Sequence, residues 1–217
     1  MSKTAKKTRE WIDSKIKRTN NTQIIDMIYF AKYQPPAGFK FSLDGFHNSS
    51  VTNLPLIGLY CLNPPAPLYA PVIIDPNAIL MNSNFDWDSP LNSPKYNEGF
   101  FTWKDQIFNK NLSIIIDVRS VYLSGRGDKI KIEPVGWTIV PVYTPNGYVK
   151  SGCYQIPIFK GAVKTEMLQP LSENDPWEYI MEQKAQKKLQ YLEPMSAVVR
   201  LLDAQREVKI LFLSKAY

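Results

Sequence analysis

From Gly136 to Gly161 the chain reads GWTIVPVYTPNGYVKSGCYQIPIFKG, two strand-like runs about a Pro-Asn-Gly turn. The first run sets Trp137, Ile139, Pro141 and Tyr143 on one side and Thr138, Val140 and Val142 on the other, the period-two alternation of a pleated strand. Asn146-Gly147 supplies two residues that tolerate positive φ, so a hairpin turn is expected at Thr144–Gly147, flanked by Tyr143 and Tyr148. Pro141 and Pro157 have no N–H to give a ladder and belong at an edge or a bulge. Such a stretch specifies architecture and carries no chemistry of its own.

Working outward, other runs repeat the strand signal. GFKFSLDGF, residues 38–46, alternates Phe39, Phe41 and Leu43 against Lys40, Ser42 and Asp44. LIGLYCL (56–62) reads as a buried strand, and NLSIIIDVRSVYL (111–123) as a long one, followed by SGRGDKI as a turn-rich connection. The run at 23–33, QIIDMIYFAKY, suits helix or strand equally. Residues 75–100, rich in Asn, Asp, Ser and Pro, predict a long loop whose aromatics, Phe85, Trp87, Tyr96 and Phe100, pin it to the domain. Asp175-Pro176-Trp177-Glu178 combines an N-cap, a first-turn proline and a glutamate three residues on, and apolar spacing continues to Leu192, so a helix is expected over 176–192. SAVVRLL and VKILFL add two more strands, the second pair also compatible with helix. The expected fold class is all-β, an antiparallel β-sandwich of residues 23–217 with one late α-helix, preceded by a basic N-terminal arm over 1–22.

The 217 residues, 44% hydrophobic and 12% aromatic, suffice for a substantial core. There is no apolar run long enough to span a bilayer and no secretory-type leader, so an intracellular, cytoplasmic protein is expected. Cys61 and Cys153 then read as small buried hydrophobes. Charge is unevenly placed. Lys3, Lys6, Lys7, Arg9, Lys15, Lys17 and Arg18 against Glu10 and Asp13 hold five of the formal net +6 within residues 1–18. Those seven cations are the expected partner-binding residues, aimed at an anionic partner: an acidic protein surface, nucleic acid or anionic lipid.

Chemistry is sparse. The single histidine, His47, is placed in a loop beside Asn48-Ser49-Ser50, with no nucleophile motif near it. Phosphate-binding glycine loops, HExxH and CxxC pairs are lacking, so no catalytic residue, metal or cofactor is expected. Asp86-Trp87-Asp88 is the one carboxylate constellation to weigh as a calcium loop, against the simpler reading as a solvated turn. The strands show no aromatic-plus-basic platform of the kind single-strand nucleic-acid binders use, and nucleic acid is not an expected partner.

PPAGFKFSLDGF (35–46), LSIIIDVRSVYL (112–123) and the 136–161 stretch, in that order, resemble the divergent C2-like β-sandwich domains of ciliary and axonemal proteins, such as coiled-coil-domain-containing protein 17 and its relatives. C2 domains of the calcium-binding kind carry aspartates on two facing loops. Here Asp86 and Asp88 match one loop, but the other, 123–136, offers only Asp128 and Glu133 among Arg126, Lys129 and Lys131. The resemblance therefore implies a calcium-independent docking module, a non-enzymatic structural protein of a cilium or another microtubule-based cytoskeletal assembly with tubulin or other axonemal proteins as partners. A peripheral membrane adaptor on anionic lipid is the alternative.

Overall fold

The computed structural model describes residues 32–65, 80–82, 84–124 and 129–205. The chain divides between Lys32 and Tyr33, and the strands below belong to the second unit, Tyr33–Tyr217. They are β1 (Phe39–His47), β2 (Leu56–Asn63), β3 (Leu80–Met81), β4 (Phe85–Asp86), β5 (Lys95–Tyr96), β6 (Phe101–Trp103), β7 (Ser113–Ser124), β8 (Lys129–Pro141), β9 (Gly152–Lys160) and β10 (Tyr191–Asp203). All pairings are antiparallel, in the order β3-β2-β7-β8-β9-β10-β1-β5-β4, with β6 also on β1. This is the expected all-β sandwich, built from one sheet that curls on itself.

Alternation explains the curl. Phe39, Phe41 and Leu43 of β1, Tyr60 and Leu62 of β2, Ile114, Ile116 and Val118 of β7, and Ala197, Val199 and Leu201 of β10 bury against one another in a single core. Lys40 and Asp44 of β1 face outward, where Asp44 takes a bidentate ion pair from Arg200, at 2.7 Å from Nε and 2.8 Å from Nη2. Aromatic rings run through the core: Trp103 lies 5.4 Å from Phe39 and 6.2 Å from Phe41, and Tyr60 lies 5.3 Å from Phe41. The hairpin forms as expected, with Tyr143 bridged to Val149 and Thr144 N–H donating to the Tyr148 carbonyl at 2.8 Å. Gly147 takes φ +86°, the left-handed conformation this turn needs.

β8 is buried on both faces over Gly136–Val140. Its outer face, Trp137 and Ile139, joins Ile115 of β7 and Phe159 of β9 in a second core. A short 3-10 turn (Thr165–Met167), α1 (Leu168–Glu173) and α2 (Pro176–Ala185) cover it, burying Met167, Leu171 and Ile180. Tyr143 departs from the expected alternation. Beyond Pro141 the regular strand ends, and Val142 and Tyr143 both enter the main core.

The helix expected over 176–192 starts where its cap requires, with Asp175 Oδ1 accepting from Trp177 N–H and Glu178 N–H at 3.0 Å each. It stops early, at Ala185. Lys187 adopts φ +58°, which turns the chain out of the helix, and Tyr191 then begins β10. Lys184 lies 4.0 Å over the Tyr191 ring, holding the last helical turn against that strand. Helical spacing continued to Leu192, but Tyr191 pairs there with Phe159 of β9, and from Ser196 onward the strand gains β1 as a second neighbour, which no local helix offers.

Three smaller expectations change. His47 is not in a loop but ends β1, opposite Ser196. Cys153 is exposed rather than buried, because it stands on the outward face of β9 opposite Arg200, and Cys61 is only partly covered. The 75–100 region, where described, is tied down by two-residue strands: Tyr96 is buried, donates its O–H to the Leu56 carbonyl at 2.6 Å, and meets Phe85 at 5.2 Å. Trp87 only stacks on Phe85 and stays 72% exposed.

Candidate functional site

The seven cations expected to bind a partner, Lys3, Lys6, Lys7, Arg9, Lys15, Lys17 and Arg18, lie outside the described residues, as do the 1–22 arm and the VKILFL segment. Asp86 is spent on its own turn. Its Oδ1 accepts from Asp88 N–H at 3.1 Å, and its carbonyl accepts from Ser89 N–H at 3.0 Å and Ser89 Oγ at 2.6 Å. Of the second expected loop, 123–136, Asp128 is outside the described residues, while Glu133 lies on β8, where its Oε1 accepts from Tyr122 O–H at 2.7 Å. Among the described residues no three His, Cys, Asp or Glu side chains gather as a metal site would require.

The structure instead exposes a strand arm where SGRGDKI predicts only a turn-rich connection. β7 and β8 run on past the sandwich as a two-stranded arm, Val121–Ser124 paired with Lys129–Ile132. The register sets Val121 opposite Ile132 and Leu123 opposite Ile130. Because directly opposed residues share a face and alternate residues repeat it, these four aliphatic side chains form one stripe. The other face carries Tyr122 opposite Lys131 and Ser120 opposite Glu133.

The two faces differ in what they meet. On the polar face the Tyr122 hydroxyl is held by Glu133, and the Lys131 ammonium sits 5.8 Å from the centre of the Tyr122 ring. The apolar face is uncovered: Leu123 is 64%, Ile130 68% and Ile132 48% exposed. A bulge between Val118 and Arg119 marks where the arm leaves the sandwich, and across it Asp117 pairs with Arg119 at 2.7 Å. The alternation Lys129-Ile130-Lys131-Ile132-Glu133 was the signal that could have found this strand.

A second apolar surface lies at the opposite end, a groove lined by Pro64, Pro65, Ile107, Phe108 and Leu112. It borders residues outside the description. The deeper polar groups of the sandwich serve packing. Tyr33 donates its O–H to the Gln106 carbonyl at 2.9 Å and is pushed up to about 12, chiefly by burial. Burial also pushes Tyr60, Tyr96 and Tyr143 upward, reinforced at Tyr60 by the Glu98 carboxylate and at Tyr143 by Tyr33. All four phenols therefore stay protonated through neutral pH. A phenol harder to ionise folded than unfolded stabilises the fold fully below its ordinary value near 10, and that contribution is lost as pH climbs through the raised folded value. The melting temperature is accordingly expected to fall steeply between pH 10 and 12, and Tyr33→Phe to flatten that fall, as read by circular dichroism.

No protein-family model and no curated protein matches the chain.

Proposed function

We propose that the protein is a non-enzymatic interaction module that docks into a larger protein assembly through the β7–β8 arm, with the basic segment 1–18 as a second, electrostatic contact. The observation that carries this is the uncovered stripe of Leu123, Ile130 and Ile132. A two-stranded ribbon is marginal in water and gains stability when a third element covers its apolar face. Contiguous exposed aliphatics of this kind are a feature of docking surfaces. The resemblance to C2-like ciliary domains supports a microtubule-based assembly, whose acidic tubulin surface would suit the seven N-terminal cations.

Lipid is the less favoured partner. Among the described residues the arm carries open strand edges beyond Val121, and unpaired peptide groups are costly in hydrocarbon. Covering three side chains that are half to two-thirds exposed is worth about 3 kcal/mol, or about 100-fold in affinity. The variant Leu123→Ser/Ile130→Ser/Ile132→Ser is thus expected to keep its melting temperature while its share of the large assembly, read by size fractionation of cell extract, drops about 100-fold. Unchanged fractionation would remove the arm from the docking reading, and binding of the wild type to anionic vesicles that the variant loses would favour the membrane adaptor.

A further inference from the structure

We infer that the partner engages the arm as an added β-strand along the free edge of β8, and that this strand alternates acidic with apolar side chains. The inference rests on the docking reading above and specifies the chemistry of its partner.

Edge geometry selects β8. Among the described residues β8 meets β9 only at Gly136 and Trp137, so Ile130–Val135 has no strand on the side away from β7. The edge of β7 is shorter: β2 pairs as far as Ser120, and Val121 N–H donates to the Pro55 carbonyl at 3.0 Å. Pro134 has no N–H to donate to a ladder, so the added strand is placed on the outer part of the arm.

Side-chain chemistry selects the occupant. A strand laid antiparallel or parallel on β8 would place every second residue beside Ile130 and Ile132, continuing the apolar stripe, and the intervening ones beside Lys131. The first set must be apolar to cover the stripe. The second set sits against the exposed Lys131 ammonium, which lies 5.8 Å from the centre of the Tyr122 ring, while the Glu133 carboxylate already accepts from the Tyr122 hydroxyl. A cross-strand carboxylate is favourable there and a cross-strand cation unfavourable. A second copy of the chain fits less well, because the register pairing Ile130 with Ile132 brings Lys131 against Lys131. Membrane insertion would leave the β8 edge unpaired in lipid.

The test uses the full chain and fluorescent seven-residue peptides, read by anisotropy. A peptide alternating Glu and Val is expected to bind at least ten-fold more tightly than one alternating Lys and Val, and Lys131→Glu to reverse that order. N-methylation of alternate amides on the peptide edge facing β8 should abolish binding, and Ile130→Ser/Ile132→Ser should weaken it at least ten-fold. Equal binding of the two peptides, indifference to N-methylation, or an arm-dependent dimer or vesicle complex in place of peptide binding would overturn the inference. If the aliphatic triple variant loses assembly while the peptides show no preference, only the strand inference fails. If that variant assembles normally, the docking reading fails with it.

Discussion

Replacing Trp103 with alanine is expected to cost about 3–5 kcal/mol of stability, enough to leave a domain of ordinary stability partly unfolded at physiological temperature. Trp103 is 1% exposed and sits where β6 closes onto β1, its ring 5.4 Å from Phe39, 6.2 Å from Phe41 and 6.5 Å from Tyr60. Those neighbours come from both layers of the curled sheet, so the cavity left by truncation cannot close by moving one loop. Urea denaturation followed by fluorescence would measure the loss. Trp87→Ala is the internal control: at 72% exposure, stacked only on Phe85, it should change stability by less than about 1 kcal/mol. A Trp103→Ala midpoint as close to wild type as that of Trp87→Ala would mean that the ring cluster does not hold the two layers together.

Gly136→Ala should destabilise by about 2–3 kcal/mol although the change adds a single methyl group. Gly136 pairs with Lys160 at the narrow junction where β8 passes to β9, one of just two ladder pairs, with Trp137–Phe159, that join these strands among the described residues. A Cβ at this position would lie 2.4 Å from Ile158 Cγ2 and 2.6 Å from the Phe159 carbonyl oxygen. The second of these is backbone, which can yield only if the strands separate. The reason for glycine here is thus close approach rather than an unusual φ. Gly99→Ala, with nothing within 4 Å, should be neutral. Faster amide exchange in Gly136, Trp137 and Phe159 of the Gly136→Ala protein would locate the damage at the corner, whereas a melting temperature matching that of Gly99→Ala would contradict this account.

Both expectations concern the frame that carries the arm. Destabilising the corner should disturb docking indirectly, because β8 runs continuously from Lys129 at the arm to Pro141 in the core. The arm substitutions act in the opposite sense, altering association while leaving the frame intact, and this contrast separates a docking defect from a folding defect.

Local signals sufficed for each strand whose pattern is complete within a few residues. The alternation of Phe39, Phe41 and Leu43, the Asn146-Gly147 turn and the Asp175 cap are short-range physics, and all three appear where their residue types place them. Neighbour choice is another matter. That β10 lies between β9 and β1 depends on pairings such as Phe39 with Asp203, far apart in the chain, and another of them, Tyr191 with Phe159, takes into the strand residues whose spacing is helical. The arm shows the same division within five residues. Lys129-Ile130-Lys131-Ile132-Glu133 states that two faces differ, but alternation is identical for a strand whose apolar face is buried and one whose apolar face is bare. Only the bulge at Val118/Arg119 and the ends of β2 and β9, which stop pairing at Ser120 and Gly136, carry Ile130 and Ile132 past the core into solvent. Exposure is a property of what surrounds a strand, and those surroundings come from distant parts of the chain.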